Sequence, residues 1–329
     1  MAALTQMFNA FNRFWFGSIS AYPLCAFRIL LGSYLSVMLL AGLPFVTMMY
    51  SNQGVMTPMF VGDIAPSPAV AYSIYLVTLA SAFAFTVGYR TRIMAPLLFV
   101  GFLYHFLLNM MVKACSYERL ILIFLLLIAC SDCGRVWSMD ARARAARGQI
   151  DQPVVIAWPM RLMLLHLSAF YFMTGVCKAG SSEWPRGDVL HNVITSLWAT
   201  PAGFWLSQLH LPYSFFALSS CLLIFWELTC GIGFFIGDLT LRLSVADRIF
   251  ALRIPSVQNL YFAAGLLFHC SVWLFMDLPQ FMICPMAYVL YMKPDVVESF
   301  VTRLFALSRR QARTPACSPG EERGALKPQ

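Results

Sequence analysis

The chain has 329 residues, of which 60% are hydrophobic and 12% charged, with a formal net charge of +8 at pH 7 and a mean hydropathy of +0.70. Soluble domains carry about 25% charged residues, so half that charge cannot cover a water-facing surface of this size. A soluble enzyme or nucleic-acid-binding domain is therefore excluded, and the positive balance is assigned to loops at an anionic membrane face.

In chain order, Leu4, Met7, Phe8, Phe11, Phe14 and Trp15 recur at helical spacing around a single charge, Arg13. That pattern predicts an amphipathic helix over residues 1–20 lying along the membrane. No cleavable signal peptide is expected there, because a basic region, a short apolar core and an Ala-x-Ala site are missing. A bilayer core of about 30 Å needs about 20 apolar residues per helix. Eight runs approach that length: Pro23–Leu43, Val70–Val87, Ile93–Val112, Leu120–Cys130 (extended to Ser116–Cys133), Val154–Cys177, Tyr213–Ile236, Asn259–Met276 and Pro279–Met292. Only Asp277-Leu278-Pro279 separates the last two, which predicts a tight helical hairpin. Residues 44–69, rich in Pro, Gly, Met and aromatics, read as a partly embedded outer loop. Residues 179–211 carry Leu190, Val193, Ile194, Leu197 and Trp198 at helical spacing, which predicts a second interfacial helix.

The expected fold is an all-α polytopic bundle over residues 21–295. It is followed by a basic, disordered tail over 296–329. With the N-terminus inside, the cytoplasmic segments hold 17 Lys and Arg residues and the outer segments hold 4: Lys113, Arg119, Lys178 and Arg186. The bias survives removal of the tail, at 10 against 4. It predicts both termini on the cytoplasmic side. Ten cysteines are present, most of them inside apolar runs, where a thiol packs as a small hydrophobe.

Charged groups inside a membrane are functional candidates. Arg28 lies in the first span, Arg161 and His166 in the fifth, Glu227 in the sixth and His269 in the seventh. As structural groups, Arg28 or Arg161 would pair with Glu227 or snorkel to the nearer interface; as functional groups they would line a polar cavity. His269 reads either as a satisfied core histidine or as a site residue. Lys178 closes the fifth span at its outer end. Burial there would make its amine a base near neutral pH, and the alternative is an interfacial anchor. Cys130-Ser131-Asp132-Cys133 has C-x-x-C spacing without a second pair, so no metal site is expected.

Several stretches, in order, resemble the vitamin K-dependent γ-carboxylases of the HTTM superfamily. They are Phe27-Arg28-Ile29, Cys115-Ser116-Tyr117, Trp137-Ser138-Met139-Asp140, Phe170-Tyr171-Phe172-Met173-Thr174-Gly175-Val176-Cys177-Lys178 with Glu183-Trp184 and Gly187, and Phe268-His269-Cys270. The resemblance covers roughly residues 20–295. It implies a reduced, vitamin K-like quinone in the membrane, with Lys178 as the base that deprotonates it. Oxygen then generates a strong base that removes a glutamate γ-proton, and carbon dioxide traps the carbanion. Lys178, Cys115 and His269 are the implied catalytic positions, and Arg28, Tyr117, Arg161, His166, Trp184 and Glu227 the implied pocket. At Cys115 the carboxylases have a histidine, and a thiol does not replace an imidazole, so the chemistry at that step is expected to differ. The carboxylases' large lumenal substrate-capture domain has no counterpart in the resemblance. Recognition of an exported peptide would come from another substrate or a partner. A Cys115–Cys177 disulfide at the outer face is a further implication.

Two other functions fit the same sequence. One is an HTTM protein of a bacterial peptide-maturation or immunity system without carboxylase activity. The other is a lipid- or ion-binding scaffold built on Arg28, Arg161 and Glu227. The expected location is the bacterial inner membrane, with the lipid bilayer as partner and no nucleic acid.

Overall fold

The computed structural model describes residues 2–55, 65–110, 116–149, 152–240 and 257–311. They form an all-α bundle of the membrane type. Helix α1 (Ala2–Phe16) precedes α2 (Tyr22–Gly42), which continues through a 3-10 turn, Leu43–Phe45, into α3 (Val46–Tyr50). Then come α4 (Pro68–Val87), α5 (Thr91–Leu108), α6 (Ser116–Ala129) and α7 (Met139–Ala146). Helix α8 (Trp158–Ala179) leads to three short helices, α9 (Glu183–Arg186), α10 (Asp188–Val193) and α11 (Pro201–Ser207). The remainder is α12 (Tyr213–Thr240), α13 (Val257–Phe275), α14 (Ile283–Ala287) between two 3-10 turns, and α15 (Pro294–Gln311).

Five helical stretches are long and apolar enough to cross a membrane by length and composition: Tyr22–Tyr50, Pro68–Val87, Thr91–Leu108, Trp158–Ala179 and Tyr213–Ile232. The other three expected spans take different forms. Helix α6 has 14 residues, a length of about 21 Å, and sits inside the bundle with Leu120, Phe124, Leu125 and Ile128 fully buried. Asn259–Phe275 is a shorter apolar stretch, within the 19-residue α13. Pro279–Tyr291 is broken into 3-10, α and 3-10 pieces. Broken backbone of this kind is tolerated at membrane depth when protein surrounds it. Here Ile283, Cys284, Ala287 and Tyr288 are buried. The chain does reverse after Asp277, since the 3-10 turn Pro279–Met282 packs back on α13.

Neighbours in sequence pack as neighbours in space. Helix α2 lies beside α4, then α5, α6, α8, α12 and α13 follow in turn, and the segment 283–291 wedges back against α2. Three expectations change. Residues 154–156 form a strand paired antiparallel with Ser18–Ser20, so the fifth helix starts at Trp158, not Val154. The outer segment 179–211 is three short helices, not one; Ile194 is buried while Leu197 and Trp198 are exposed. Residues 296–311 belong to α15, and the rest of the expected tail lies outside the described residues.

One end of the bundle is arginine-rich and organised around Arg28, which is 0% exposed. Its Nη1 donates to the carbonyls of Phe85 (3.0 Å) and Thr86 (3.2 Å), and its Nη2 donates to Trp137 O (2.7 Å). The first two carbonyls belong to the last turn of α4, where the helix dipole is negative and carbonyls lack the regular N–H partner four residues on. Gly88 ends that helix, with Gly88 N–H on Phe85 O and Tyr89 N–H on Ala84 O. Asp140, at the start of α7, accepts the Arg90 and Thr91 N–H groups and the Thr91 hydroxyl, each at 2.8 Å, and so caps α5 from outside it. Burial alone would push the Asp140 carboxyl up; the hydrogen bonds from Thr91 and Arg90 outweigh it and hold the group below its usual range.

Arg28→Met removes three hydrogen bonds from two guanidinium nitrogens, so it is expected to cost about 3 kcal/mol, read from the thermal midpoint of the purified protein; an unchanged midpoint would show the staple to be dispensable. Asp140→Ala is expected to cost about 1 kcal/mol near neutral pH. Because the folded-state carboxyl is depressed, that contribution is present above the unfolded carboxylate range and is lost as pH falls through the folded value. Wild-type and variant melting curves should therefore converge on acidification.

Candidate functional site

The opposite end of the bundle holds the polar cluster. Ser168, Tyr171, Thr174, Gly175 and Lys178 lie along one face of α8, at helical spacing. This face meets α12. A Cβ on Gly175 would sit 3.0 Å from Leu228 Cγ and 3.1 Å from Glu227 Cβ, so glycine sets how closely the two helices approach. That approach brings Lys178 Nζ onto Glu227 Oε1 in an ion pair, with side chains 16% and 3% exposed. A bridge this dry holds only if both charges are compensated, because burying either one alone is far costlier. Glu227 Oε2 is buried with no hydrogen-bond partner among the described residues. The Thr174 hydroxyl, which also faces the carboxylate, donates to Tyr171 O at 2.8 Å.

Two aromatic rings bracket the ammonium. Trp184 of α9 has its ring centroid 4.7 Å from Lys178 Nζ, and Phe268 of α13 lies at 5.8 Å. The turn returning Trp184 over the lysine ends at Gly187, whose φ of +88° and contact with the Phe216–Ala217 backbone both require the absence of a side chain. Below this layer, His269 Nε2 and Tyr171 Oη are 2.8 Å apart, and Tyr171 Oη is 2.8 Å from Tyr288 Oη. His269 is buried, with Nδ1 unpartnered among the described residues. Trp226 packs edge-on against Tyr171, with centroids 4.9 Å apart. Trp226 and Phe268 also line an apolar groove of about 670 Å³ between α12 and α13.

The outer helices hold the roof of this cluster in place. Thr200 N–H donates to Phe275 O (3.2 Å) and Asp277 N–H to Trp198 O (2.8 Å), which straps the outer segment to the end of α13. The hydroxyl of Tyr213, at the start of α12, donates to Asp188, the first residue of α10. Glu183, beside Trp184, takes hydrogen bonds from Ser181, its own backbone and Ser182, which hold its carboxyl down at about 2. It is therefore a fixed anion near neutral pH and not a proton carrier.

The sequence-derived candidates divide between the two ends. Lys178, Trp184, Glu227 and His269 meet in one cluster. Arg28 and Arg161 do not pair with Glu227, because Lys178 occupies that position. Arg28 bonds backbone carbonyls at the far end, and the Arg161 guanidinium lies 4.0 Å from the centre of the Phe14 ring, tying α8 to α1. Arg161 and Lys178 are 17 positions apart on α8, a rise of about 25 Å. His166 is half-buried in mid-helix. Tyr117 stands in the first turn of α6, with its ring 6.1 Å from Phe281. Cys115 lies outside the described residues, and Cys177 is an exposed thiol. Tyr171, Thr174 and Tyr288 were not singled out as site residues. Tyr171 and Thr174 share a helix face with Lys178, at seven and four residues' distance, and that spacing was a usable signal. Tyr288 had none, since it reaches the site from a segment 117 residues away.

No curated protein and no solved structure matches this chain. Residues 16–270 match the HTTM domain, a region that includes the arginine-rich end, the face of α8, and both Glu227 and His269. This match covers well over half of the chain, which therefore belongs to the HTTM-domain family.

Proposed function

We propose that this integral membrane protein carries out proton-abstraction chemistry on a membrane-soluble reduced quinone, with Lys178 as base, to modify a peptide or small substrate on the outer face. The observation that carries the proposal is the dry Lys178–Glu227 pair, set beneath Trp184 and beside an aromatic-lined groove. The groove is apolar and of a size typical of small-molecule sites. It reaches Phe268, the ring that flanks the lysine, so its apolar lining would hold the tail of a prenylated quinone. The orphaned Glu227 Oε2 and His269 Nδ1 are further polar atoms inside this wall that a ligand could satisfy.

When bound, the quinone would supply the oxygen-dependent generation of a strong base. The chain's own residues do the rest. Moving one proton from Lys178 to Glu227 converts a buried ion pair into two neutral groups, which removes the desolvation penalty of both. The neutral amine is then the acceptor for a hydroxyl proton, and Glu227 is its local reservoir. Tyr171 holds His269 Nε2 and leaves Nδ1 facing the interior. Trp184 and the strapped outer segment exclude water, which would quench a strong base.

In this orientation the arginine-rich end is cytoplasmic and Lys178 lies outside, as the split of 17 against 4 basic residues supports. The membrane would be the bacterial inner membrane, on the strength of the family resemblance alone. Carbon dioxide as co-substrate rests on the same resemblance.

Purified protein in lipid nanodiscs, given reduced quinone, oxygen, bicarbonate and a glutamyl peptide, should consume quinone. Lys178→Ala should lower that rate by about 10²–10⁴-fold, the usual contribution of a positioned base. Full activity in Lys178→Ala would remove the lysine from the chemistry. Glu227→Gln keeps the shape but removes the reservoir, and is expected to lower kcat more than it raises KM, as measured in the same assay.

A further inference from the structure

The arginine-rich end contains a groove of about 470 Å³, bounded by the start of α5, the turn after α6, and α7. We infer that this groove binds the phosphate of an anionic phospholipid headgroup, a role separate from the chemistry at Lys178. Five guanidinium groups line it, from Arg90, Arg92, Arg135, Arg144 and Arg147, against the two carboxylates of Asp132 and Asp140.

The carboxylates do not cancel this charge for a ligand. Asp140 turns both oxygens to the Arg90 and Thr91 backbone and the Thr91 hydroxyl. Asp132 sits between Arg92 (3.1 Å) and Arg135 (3.9 Å), so one anion serves two cations. Among the described lining residues, five cations face two anions. The wall is also positioned in advance. Arg144 Nη2 donates to the carbonyls of Gly134 (2.9 Å) and Arg135 (3.3 Å), and Arg147 Nε donates to Ala143 O (3.1 Å). Planar guanidinium forks held this way match phosphate oxygens in geometry as well as charge.

The position selects a lipid over a soluble phosphate. Arg90 and Arg92 flank Thr91, the first residue of a membrane-crossing helix, and Arg92 keeps a side-chain exposure of 84% despite its ion pair. Ile93, the next residue, is an exposed apolar side chain in the groove's own lining, and Val87, at the end of α4, is another exposed apolar side chain at this end. A ligand with its phosphate among the guanidinium groups would lay its acyl chains over those residues. Helix α1 reinforces this placement. Its exposed Leu4, Met7, Phe8 and Phe11 lie at this end, because Gly17 O accepts from Ala157 N–H at the start of α8.

The test is lipid binding by the full-length protein in detergent, followed by native mass spectrometry. Phosphatidylglycerol, phosphatidylcholine and inorganic phosphate are the probes. The wild type should bind phosphatidylglycerol about tenfold more tightly than phosphatidylcholine. Arg92→Gln/Arg147→Gln should lose at least about tenfold of that affinity. Arg13→Gln/Arg142→Gln removes the same charge from this end, outside the groove, and should keep it. Equal loss in both double variants would overturn the site and leave only a diffuse positive surface. Equal affinity for the two lipids would overturn the headgroup assignment. Displacement of phosphatidylglycerol by inorganic phosphate at matched concentration would overturn the lipid in favour of a soluble phosphate. A thermal melt of each variant checks folding, and the single variant Arg147→Gln carries the test if the double variant does not fold.

Discussion

The contact between Lys178 and Glu227 is the constraint around which the outer half of the molecule is arranged. In a medium without water neither charge can stand alone, so the pair fixes the register of α8 against α12. The fit is made possible by Gly175, which lets Glu227 come within reach. The same register places Tyr171 opposite His269 and Tyr288, and it sets Trp226 at the wall of the apolar groove. One electrostatic requirement thus determines helix packing, the hydrogen-bonded core and the position of the candidate site together.

The two ends of the bundle solve different problems. At the arginine-rich end, buried charge is compensated by backbone carbonyls at a helix terminus, which makes Arg28 a structural staple and leaves no strong base near it. At the Lys178 end, charge is compensated by a single carboxylate from another helix, an arrangement that one proton transfer can neutralise. That difference explains why Arg28 and Lys178, both cations within apolar runs, take different roles. It also follows that Arg28, Arg161 and Glu227 do not form one pocket, because Glu227 lies at the opposite end from the two arginines and each has a separate partner.

Much of the architecture was legible in the sequence because apolar run length and loop charge are local properties. The helices Pro68–Val87, Thr91–Leu108 and Trp158–Ala179 sit where long apolar runs end at charged or glycine-containing turns. What was not legible depends on pairing across the chain. Hydropathy cannot show that the return from the end of α5 to the arginine-rich turn is a buried helix of only 14 residues, Ser116–Ala129. It also cannot show that Val154–Ile156, apolar and continuous with α8, pairs as a strand with residues near the N-terminus. The partner of Glu227 lies 49 residues away, and on sequence grounds Arg28 and Arg161 were the cations offered for it, not Lys178. Lys178 takes this place because it shares the α8–α12 interface, whereas Arg161, although on the same helix, lies nearly five turns away. Tyr288 was hidden for a related reason, since an apparently ordinary apolar run is in fact a broken segment that carries a polar group into the core.

The proposed role of Lys178 requires a product that appears outside the cytoplasm. Mass spectrometry of exported peptides from cells carrying the wild type, no protein, or Lys178→Ala tests it most directly. A peptide mass change that is present with the wild type and absent in the other two is the predicted result. The same modified peptide appearing with Lys178→Ala at wild-type abundance, in equally stable protein, would contradict it.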